Sequence, residues 1–208
     1  MGNAMTADMY RYRKLTGEQQ RQVVQERQHR GFPKHSPPHL DAPNGFRIVT
    51  GTCFEHRSIL QTTNRLADFE DRLLGLLTET THECAAWCVL PNHYHILVKV
   101  GAIDILTAHL GKLHGRTAFE WNGEDSERGR TVWYRCQDRV MRSDAHYCTT
   151  LNYIHNNPVK HGLTARWQDW PFSSVHWYLK EKGRNWLMEN WREYPVLNYG
   201  LGWDDFIF

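Results

Sequence analysis

The stretch "HECAAWCVLPNHYHILVKV" (residues 82–100) decides the fold. It consists of two apolar runs that are rich in strand-forming residues, and the turn pair Pro91-Asn92 separates them. Two such runs around a short turn predict a β-hairpin. Because the second run begins with His-Tyr-His, the hairpin also carries the first candidate functional residues.

Two histidines, His93 and His95, lie two positions apart on the second predicted strand. Side chains at i and i+2 of a strand share one face, so both imidazoles project together while Tyr94 points to the other face. Two adjacent imidazoles can hold a divalent metal, form a proton-transfer site or have no role. The hairpin alone leaves these three possibilities open.

Helix and strand patterns continue outward from the hairpin. They predict a strand at 46–54, an amphipathic helix at 65–80, a second helix at 103–121, a polar loop at 122–129, a strand or irregular ribbon at 131–142, and a last helix from Ser143-Asp144 to about Asn156. Pro158 ends this last helix in the prediction, because a proline disfavours helical geometry at the residue before it. The order of elements predicts an α+β fold, a ferredoxin-like antiparallel sheet with helices packed on one face.

The composition is that of a globular protein. Of the 208 residues, 40% are hydrophobic and nine are tryptophan, which suffices for a packed core. No apolar run approaches the roughly 18–20 residues that a membrane span needs, and the N-terminus lacks the apolar segment of a signal peptide. The five cysteines lie in apolar contexts, which favours reduced thiols in the cytoplasm. The net charge of +2 permits nucleic acid as a partner but does not indicate it.

We expect three parts along the chain. Residues 1–45 form a basic N-terminal arm with a short helix, whose N-cap is Thr16 and whose capping-box partner is Gln19. Residues 46–180 form the globular domain. Residues 181–208 are rich in aromatic side chains and form an extension that packs on the core.

The last predicted helix has two unlike faces. Tyr147, Leu151 and Ile154 recur at helical spacing and make a stripe that we expect to be buried. Tyr153 and Asn157 lie one turn apart on a different, polar face. A phenol with an unperturbed pKa of about 10 is a poor nucleophile at neutral pH, so a nucleophilic tyrosine needs a cation that polarises its target. A phenol beside an amide oxygen is the pattern of such a nucleophile with a metal ligand nearby.

Three segments together resemble a known family. "PNHYHILV" (91–98) resembles the His-hydrophobic-His metal motif of the single-strand-specific HUH nucleases. "YIHNNPVKHGL" (153–163) is similar to the "YIHxNPxxAGL" segment of the REP-associated tyrosine transposases, and "WPFSSVHWY" (170–178) resembles the Trp-Pro-x-Ser-Ser segment that follows it. The resemblance spans about residues 46–178, with the three motifs in the family's order and spacing. His161 departs from the pattern, because it stands where the family has alanine.

The resemblance implies a metal-dependent DNA nuclease and strand transferase, mobile or domesticated, that works through a 5′-phosphotyrosine intermediate. By position, Tyr153 matches the nucleophile, and His93, His95 and Asn157 match the ligands of Mg²⁺ or Mn²⁺. The implied partner is single-stranded or hairpin-bearing DNA, which would place the protein at the nucleoid in the cytoplasm. Relatives act as monomers or as homodimers that exchange the tyrosine helix, and the sequence leaves this choice open.

Basic side chains in two segments are candidates for contacts with DNA phosphates. These are Arg135, Arg139 and Arg142 before the last helix, and Lys112 and Arg116 on the helix at 103–121. Trp133 and Tyr134 offer rings on which unpaired bases could stack. Gly111 and Gly115 interrupt the second helix, either for tight helix packing or for close approach of a DNA backbone. The buried stripe predicted for that helix consists of Ile105, Leu106, Leu110, Leu113 and Phe119.

Two other functions are compatible with parts of the pattern. One is a DNA-binding regulator that keeps the fold but does not cut, and such a protein needs none of the four candidate site residues. The other is a metal-dependent phosphoesterase that uses the histidines with water, and it leaves Tyr153 without a role. A zinc site that includes Cys84 and Cys88 is disfavoured, because residues four apart on one strand face are separated by about 13 Å.

Overall fold

The computed structural model describes Thr16, Glu18, Gln22 and residues 45–203. The chain divides into two compact units, Met1–Leu40 and Asp41–Phe208. In the first unit Glu18 and Gln22 have helical backbone, whereas Gln19 and most of the predicted N-terminal arm lie outside the described residues. All elements named below belong to the second unit.

Four strands and five α-helices make up the described part of the second unit. In chain order they are β1 (Phe46–Thr52), α1 (Thr63–Thr80), β2 (Glu83–Val89), β3 (His93–Lys99), α2 (Ile103–Glu124), β4 (Gln137–Val140), α3 (Asp144–Lys160), α4 (Val175–Glu181) and α5 (Gly183–Glu193). Two short 3-10 helices occur at Phe54–His56 and Trp167–Asp169. Within the described residues no helix is both long and apolar enough to cross a bilayer.

The four strands form one antiparallel sheet in the order β2-β3-β1-β4. β2 and β3 form the predicted hairpin, and β1 pairs with the other edge of β3, with Gly51 opposite Tyr94. β3, which carries His93 and His95, is therefore a central strand, and six of its seven residues are buried. The α+β fold with a ferredoxin-like antiparallel sheet, predicted from the sequence, is confirmed.

Helices cover both faces of this sheet. On one face, α1 and α2 pack in an apolar cluster that includes Leu106 of α2 and Ile96 of β3. On the other face, Leu151 and Ile154 of α3 cluster with Leu97 and with residues of α4 and α5. The sequence pattern had placed the helices on one face. The second face needs a cover as well, because successive residues of β3 are apolar on both sides of the sheet.

α2 departs from its predicted stripe at two positions. Ile105 and Phe119 are 56% and 70% exposed, and Thr117 and Trp121 are buried instead. α2 has 22 residues. At about 100° per residue, Ile105 and Phe119 lie roughly 100° and 140° around the helix from Leu106, whereas Thr117 and Trp121 lie within about 60° of it. The helix also continues to Glu124, into the segment predicted as a loop.

α3 is longer than predicted. It runs through Pro158 to Lys160, although we expected it to end at about Asn156. Proline has no backbone N–H, so the carbonyl of Ile154 lacks the helical partner that another residue would supply. The burial of Asn157, which is 0% exposed, and of Pro158 offsets this cost, since both depend on the helix continuing.

Cys84 and Cys88 lie on opposite faces of the sheet rather than on one face. Cys84 packs against the cluster beneath α1 and α2, and Cys88 belongs to the cluster beneath α3. A register shift between Cys84 and Ala86 marks a β-bulge, which breaks the alternation of faces along β2.

Candidate active site

β3 places His93 and His95 side by side on the face of the sheet that α3 covers. Their ring centroids are 4.9 Å apart, and both side chains are buried. Thr50 on β1 lies opposite His95, with its Oγ1 2.8 Å from Nδ1 of the ring. A hydrogen bond at Nδ1 fixes the orientation of an imidazole that could act as a ligand.

α3 brings a third candidate ligand to the same place. Oδ1 of Asn157 lies 2.9 Å from Nε2 of His93, although the two residues are 64 positions apart in the chain. Both side chains are buried. The three residues predicted as metal ligands therefore lie together where β3 meets α3.

Asn92 determines which nitrogen of His93 carries the proton. Its Nδ2 donates to the backbone carbonyl of His56 at 3.2 Å, so its Oδ1 is the atom that lies 2.6 Å from Nδ1 of His93. An oxygen acceptor at this distance requires a proton on Nδ1. In the neutral ring Nε2 therefore presents a lone pair, and it presents that lone pair to Oδ1 of Asn157.

This donor set fits a divalent cation. The lone pair on Nε2 of His93 faces an amide oxygen 2.9 Å away, which is unfavourable unless a cation lies between them or the Asn157 amide turns over to donate. Two ligands at right angles on an octahedral Mg²⁺ are about 3 Å apart, since each bond is about 2.1 Å long. In the described part of the chain no three His, Cys, Asp or Glu side chains could hold a metal ion together. A cation here would therefore need the amide oxygen of Asn157 beside the imidazoles of His93 and His95.

A buried polar contact supports β3 from the opposite face. The hydroxyl of Tyr94 lies 3.0 Å from Nε2 of His114, whose ring stacks on Trp133 at a centroid distance of 4.3 Å. Gly51 leaves room for Tyr94, because a Cβ at this position would collide with the phenol ring. Burial lowers the pKa of His114 to about 4, so near neutral pH this ring is uncharged and can accept the hydroxyl proton.

Tyr153, the predicted nucleophile, lies on α3 beside the histidines. Its ring centroid is 5.3 Å from that of His95. The side chain is only 1% exposed and belongs to the same apolar cluster as Leu151 and Ile154. The polar face predicted for this helix is therefore not open to solvent, because a distant segment of the chain covers it.

The segment that covers Tyr153 is residues 196–203, which we call the strap. Tyr199 and Trp203 meet the Tyr153 ring edge-on, at centroid distances of 5.5 and 5.7 Å. Gly200 has a φ of 75° and passes so close that a Cβ there would collide with the Tyr153 ring. Nζ of Lys160 donates to the carbonyl of Gly200 at 3.1 Å and lies 5.3 Å from the Tyr153 ring centroid.

A continuous series of hydrogen bonds fastens the strap to α3. The backbone amide of Arg142 donates to Nδ1 of His146 at 3.2 Å, so in the neutral ring the proton is on Nε2, which lies 3.0 Å from the hydroxyl of Tyr199. That hydroxyl lies 2.6 Å from Oγ1 of Thr150, which donates its own proton to the carbonyl of His146 at 2.7 Å. Each donor has a matching acceptor, so the network holds Tyr199 in one place.

Three of the basic residues predicted to contact DNA lie in the segment directly before α3, the helix that carries Tyr153. Arg139, on β4, has its guanidinium carbon 3.9 Å from the ring centroid of Trp203, and burial lowers the pKa of this arginine. All three arginines are exposed overall, and Arg135 and Arg142 flank β4. Of the three, the structure brings Arg139 into contact with the strap that covers Tyr153.

Lys112 and Arg116 lie elsewhere. They are exposed on α2, on the opposite face of the sheet from Tyr153, and Arg116 pairs with Glu120 at 3.0 Å. A Cβ added at Gly111 or Gly115 would meet nothing within 4 Å, so tight helix packing does not explain these glycines. Close approach of DNA to this helix stays a prediction.

The rings predicted as base-stacking surfaces have separate environments. Trp133 packs against the core and donates from Nε1 to Oγ1 of Thr117 at 3.1 Å. Tyr134 lies against Phe54, with ring centroids 5.0 Å apart. Trp133 is therefore a structural residue.

Three residues near the histidines were not predicted from the sequence. The sequence pattern indicates only a turn residue at Asn92, and its position directly before His93 is the only local signal of a role beside that histidine. Thr50 depends on the register between β1 and β3, which no local pattern reveals. His161 was noted as a departure from the family pattern, and its ring centroid lies 5.0 Å from that of His93.

Two curated relatives match the chain at the sequence level. A protein of Haemophilus influenzae described as a REP-associated tyrosine transposase is 30% identical over an alignment of 131 residues, and the match covers 56% of this chain and 74% of the relative. The chain belongs to the REP-associated tyrosine transposase family. A second member, the REP-associated tyrosine transposase of Escherichia coli, is 28% identical over 145 residues, 63% of this chain and 80% of the relative. No family model matches the chain.

A solved structure shares the fold of this chain. It is the structure of a REP-associated tyrosine transposase bound to a REP hairpin, with a TM-score of 0.55 at 21% identity. The match covers 68% of this chain and 83% of that chain. The fold of this chain therefore agrees with its membership of the family. The name of the family is that of an enzyme class.

Proposed function

We propose that this member of the family is a metal-dependent single-stranded DNA endonuclease and strand transferase, which acts on hairpin-bearing DNA through a 5′-phosphotyrosine intermediate. The observation that carries the proposal is the convergence of His93, His95 and Asn157 beside Tyr153. The fold itself does not require buried imidazoles to face an amide oxygen next to a phenol, whereas this chemistry does.

The chemistry exchanges one phosphodiester for another. The hydroxyl of Tyr153 gives up its proton as its oxygen attacks the scissile phosphorus, the bond from phosphorus to the 3′ oxygen breaks, and the leaving oxygen takes up a proton to become a 3′-hydroxyl. The 5′ phosphate of the other fragment stays bonded to Tyr153. Attack by a 3′-hydroxyl on this phosphotyrosine then rejoins DNA and restores the phenol.

Mg²⁺ or Mn²⁺ bound by His93, His95 and Asn157 would polarise the scissile phosphate and stabilise the charge that develops on its oxygens. The protein's own contribution is orientation, because Asn92 and Thr50 hold the two imidazoles at Nδ1. The tyrosine packs on a histidine of its own chain, which supports its use with those histidines rather than with a partner's.

Hairpin-bearing DNA is the proposed substrate. The structural neighbour is bound to a REP hairpin, and in this chain Arg135, Arg139 and Arg142 lie in the segment that leads into α3. Guanidinium groups near the nucleophile suit the phosphates on either side of the scissile bond. Lys112 and Arg116 on α2 would contact DNA farther from that bond.

A second candidate function is that of a regulator that binds DNA without cutting it. The burial of Tyr153 beneath the strap, at 1% exposure, favours this candidate, because DNA cannot reach the phenol in this conformation. The two candidates differ in what displacement of the strap does. It exposes a reactive tyrosine in the first and has no chemical consequence in the second.

Covalent trapping separates the two. The protein is incubated with Mn²⁺ or Mg²⁺ and a pool of fluorescent single-stranded DNA hairpins that have randomised loops and flanks, and the products are run on a denaturing gel. We expect a protein–DNA adduct that requires the metal, disappears in Tyr153→Phe, and falls by about 100-fold in His93→Ala.

The controls use residues of the same helix and of the strap. Tyr147→Phe removes the equivalent hydroxyl from another tyrosine of α3 and should leave the adduct intact. An adduct that survives Tyr153→Phe contradicts the assignment of the nucleophile. The absence of any adduct, also in a Gly200→Ala variant whose strap is displaced, favours the regulator.

A further inference from the structure

The strap places an aromatic ring between two residues of the candidate site. The guanidinium carbon of Arg139, on β4, lies 3.9 Å from the ring centroid of Trp203. The same indole meets the Tyr153 ring edge-on at 5.7 Å. We call the space that this indole occupies, between Arg139 and Tyr153, the ring slot. We propose that the ring slot is a binding site for an unpaired nucleobase, and that Trp203 fills it while the strap is closed.

The geometry of the slot is that of base stacking. A guanidinium group 3.9 Å from a ring centroid is stacked on that ring, and arginine holds unpaired bases of nucleic acids in this way. An indole and a purine are both flat bicyclic rings. A slot that accepts the indole of Trp203 therefore has the width that a purine needs.

The charges around the slot favour a nucleotide over a protein side chain. Nζ of Lys160 lies 5.3 Å from the Tyr153 ring centroid, and the carbonyl of Gly200 accepts its hydrogen bond at 3.1 Å. Where the strap offers this ammonium group a neutral carbonyl, a nucleotide would offer a phosphate, which binds a cation more strongly.

Two parts of the strap thus imitate two parts of a nucleotide. The indole of Trp203 takes the place of the base, and the carbonyl of Gly200 takes the place of a phosphate oxygen. The inference rests on the proposed function, because it places the base next to the phosphate that Tyr153 attacks. DNA that enters the site must displace the indole of Trp203 and the carbonyl of Gly200. A base then takes the place of the indole, and a phosphate oxygen takes the place of the carbonyl.

The test compares two DNA probes within each protein variant. Both are fluorescein-labelled hairpins of one sequence with short single-stranded flanks, which contain adenines in one probe and abasic tetrahydrofuran residues in the other. Binding is measured by fluorescence anisotropy in EDTA, so that no cleavage occurs. The readout is the dissociation constant of the abasic probe divided by that of the adenine probe, a ratio that cancels general changes in affinity.

In Trp203→Ala we expect this ratio to be about tenfold, because the slot becomes available for stacking, and to exceed that of the unmodified chain several-fold. Arg139→Lys combined with Trp203→Ala keeps the positive charge but removes the planar group, so the ratio should return to the unmodified level. Trp186→Ala is the matched control. This tryptophan stacks on Tyr178, and its loss should leave the ratio unchanged.

Gly200→Ala displaces the strap through a different residue and should raise the ratio as Trp203→Ala does, so a folding defect in either variant does not decide the outcome. An unchanged ratio in both strap variants overturns the proposal. The trapping experiment is independent of this one. A covalent adduct together with an unchanged ratio supports the nuclease function and contradicts the base-binding slot. A raised ratio without any adduct supports the slot in a protein that binds DNA without cutting it.

Discussion

Asn92 shows how a side chain outside the ligand set can control a site. Its oxygen accepts from Nδ1 of His93, and its nitrogen is held by the carbonyl of His56. His93 can change its tautomer or rotate its ring only by breaking this contact. The residue therefore keeps the Nε2 lone pair directed at Asn157, where a cation would bind.

We predict that Asn92→Ala weakens the binding of Mn²⁺ by about 10- to 100-fold, as is typical when the hydrogen-bond partner of a ligating histidine is removed. Calorimetric titration of the protein with Mn²⁺, without DNA, measures this change. Asn92→Asp is the matched control, because its carboxylate still accepts from Nδ1 and should preserve the affinity. Equal affinities in Asn92→Ala and the unmodified chain would show that His93 is oriented by other contacts.

His114 makes the free energy of unfolding depend on pH in the acid range. Burial lowers the pKa of its imidazole to about 4, against about 6.5 in an unfolded chain. The unfolded state therefore binds the proton first as the pH falls. The contribution of neutral His114 to the free energy of unfolding is fully present above about pH 6.5. It is lost progressively below that pH, by about 2 kcal/mol at pH 5.

We predict that His114→Gln removes this part of the pH dependence. The amide can still accept from the Tyr94 hydroxyl, but it does not titrate. The loss of unfolding free energy between pH 7 and pH 5 should then be about 2 kcal/mol smaller in the variant. Urea unfolding at both pH values measures the difference, and an identical loss in both proteins would mean that His114 does not titrate on unfolding.

Single residues are predictable from the sequence where local periodicity decides their place. His93 and His95 lie side by side because a strand alternates with a period of two. The same rule fails for Cys84 and Cys88, because the β-bulge between them interrupts the alternation. The contact between Thr50 and His95 needs the register of two strands, which only the folded sheet defines.

At the scale of elements, β4 is a short edge strand anchored by a buried ion pair. The guanidinium of Arg47 on β1 donates to Asp138 on β4 at 2.7 Å, with 3% and 6% of the two side chains exposed. β4 carries Arg139, which forms one wall of the ring slot. The ion pair therefore holds part of the candidate DNA-binding surface in place.

We predict that Asp138→Leu lowers the free energy of unfolding by about 3–5 kcal/mol, because it leaves the buried Arg47 charge without its carboxylate. The double variant Arg47→Met with Asp138→Leu should recover most of this loss, since it replaces both charges with apolar groups. Urea unfolding of the two variants measures the effect. A double variant as unstable as the single one would indicate that lost packing, and not the lost ion pair, causes the destabilisation.

The order of the elements follows from the sequence, whereas the end of α3 does not. Turn residues and periodicity are local, so they predict the hairpin, the helices and the α+β fold. The proline rule is also local, and it ends α3 too early. Asn157 must remain helical to lie one turn beyond Tyr153 and reach His93, and this tertiary contact outweighs the preference of the residue before a proline.

At the scale of the whole molecule, the strap brings part of residues 181–208 into contact with the candidate site. The aromatic composition of residues 181–208 predicts a segment that packs on the core, but not the place where it packs. The contact of Tyr199 with Thr150 spans 49 positions, so only the folded chain reveals that this segment covers Tyr153.

We predict that Gly200→Ala raises the rate of adduct formation in the trapping experiment by about tenfold, which corresponds to a closed strap destabilised by about 1.4 kcal/mol. The added methyl group collides with the Tyr153 ring and also strains the backbone, because φ at this position is 75°. Gly183→Ala is the control, since its φ of 81° imposes the same strain but its methyl group meets nothing within 4 Å. An unchanged rate in Gly200→Ala would mean that the closed strap does not limit access.

In the proposed function the strap belongs to the same chain as the site, and it therefore competes with DNA at a fixed effective concentration, on the order of millimolar for a short tether. Neither the amount of protein nor the amount of DNA changes this value. The apparent affinity of a DNA whose base enters the ring slot equals its intrinsic affinity multiplied by the fraction of molecules with an open strap, whereas a DNA that leaves the slot empty binds without opening the strap. For DNA that makes few contacts, the apparent dissociation constant then exceeds the DNA concentration, and the DNA does not bind. DNA that makes many contacts remains bound. The strap thus acts as a threshold that separates strong targets from weak ones without recognising any sequence itself.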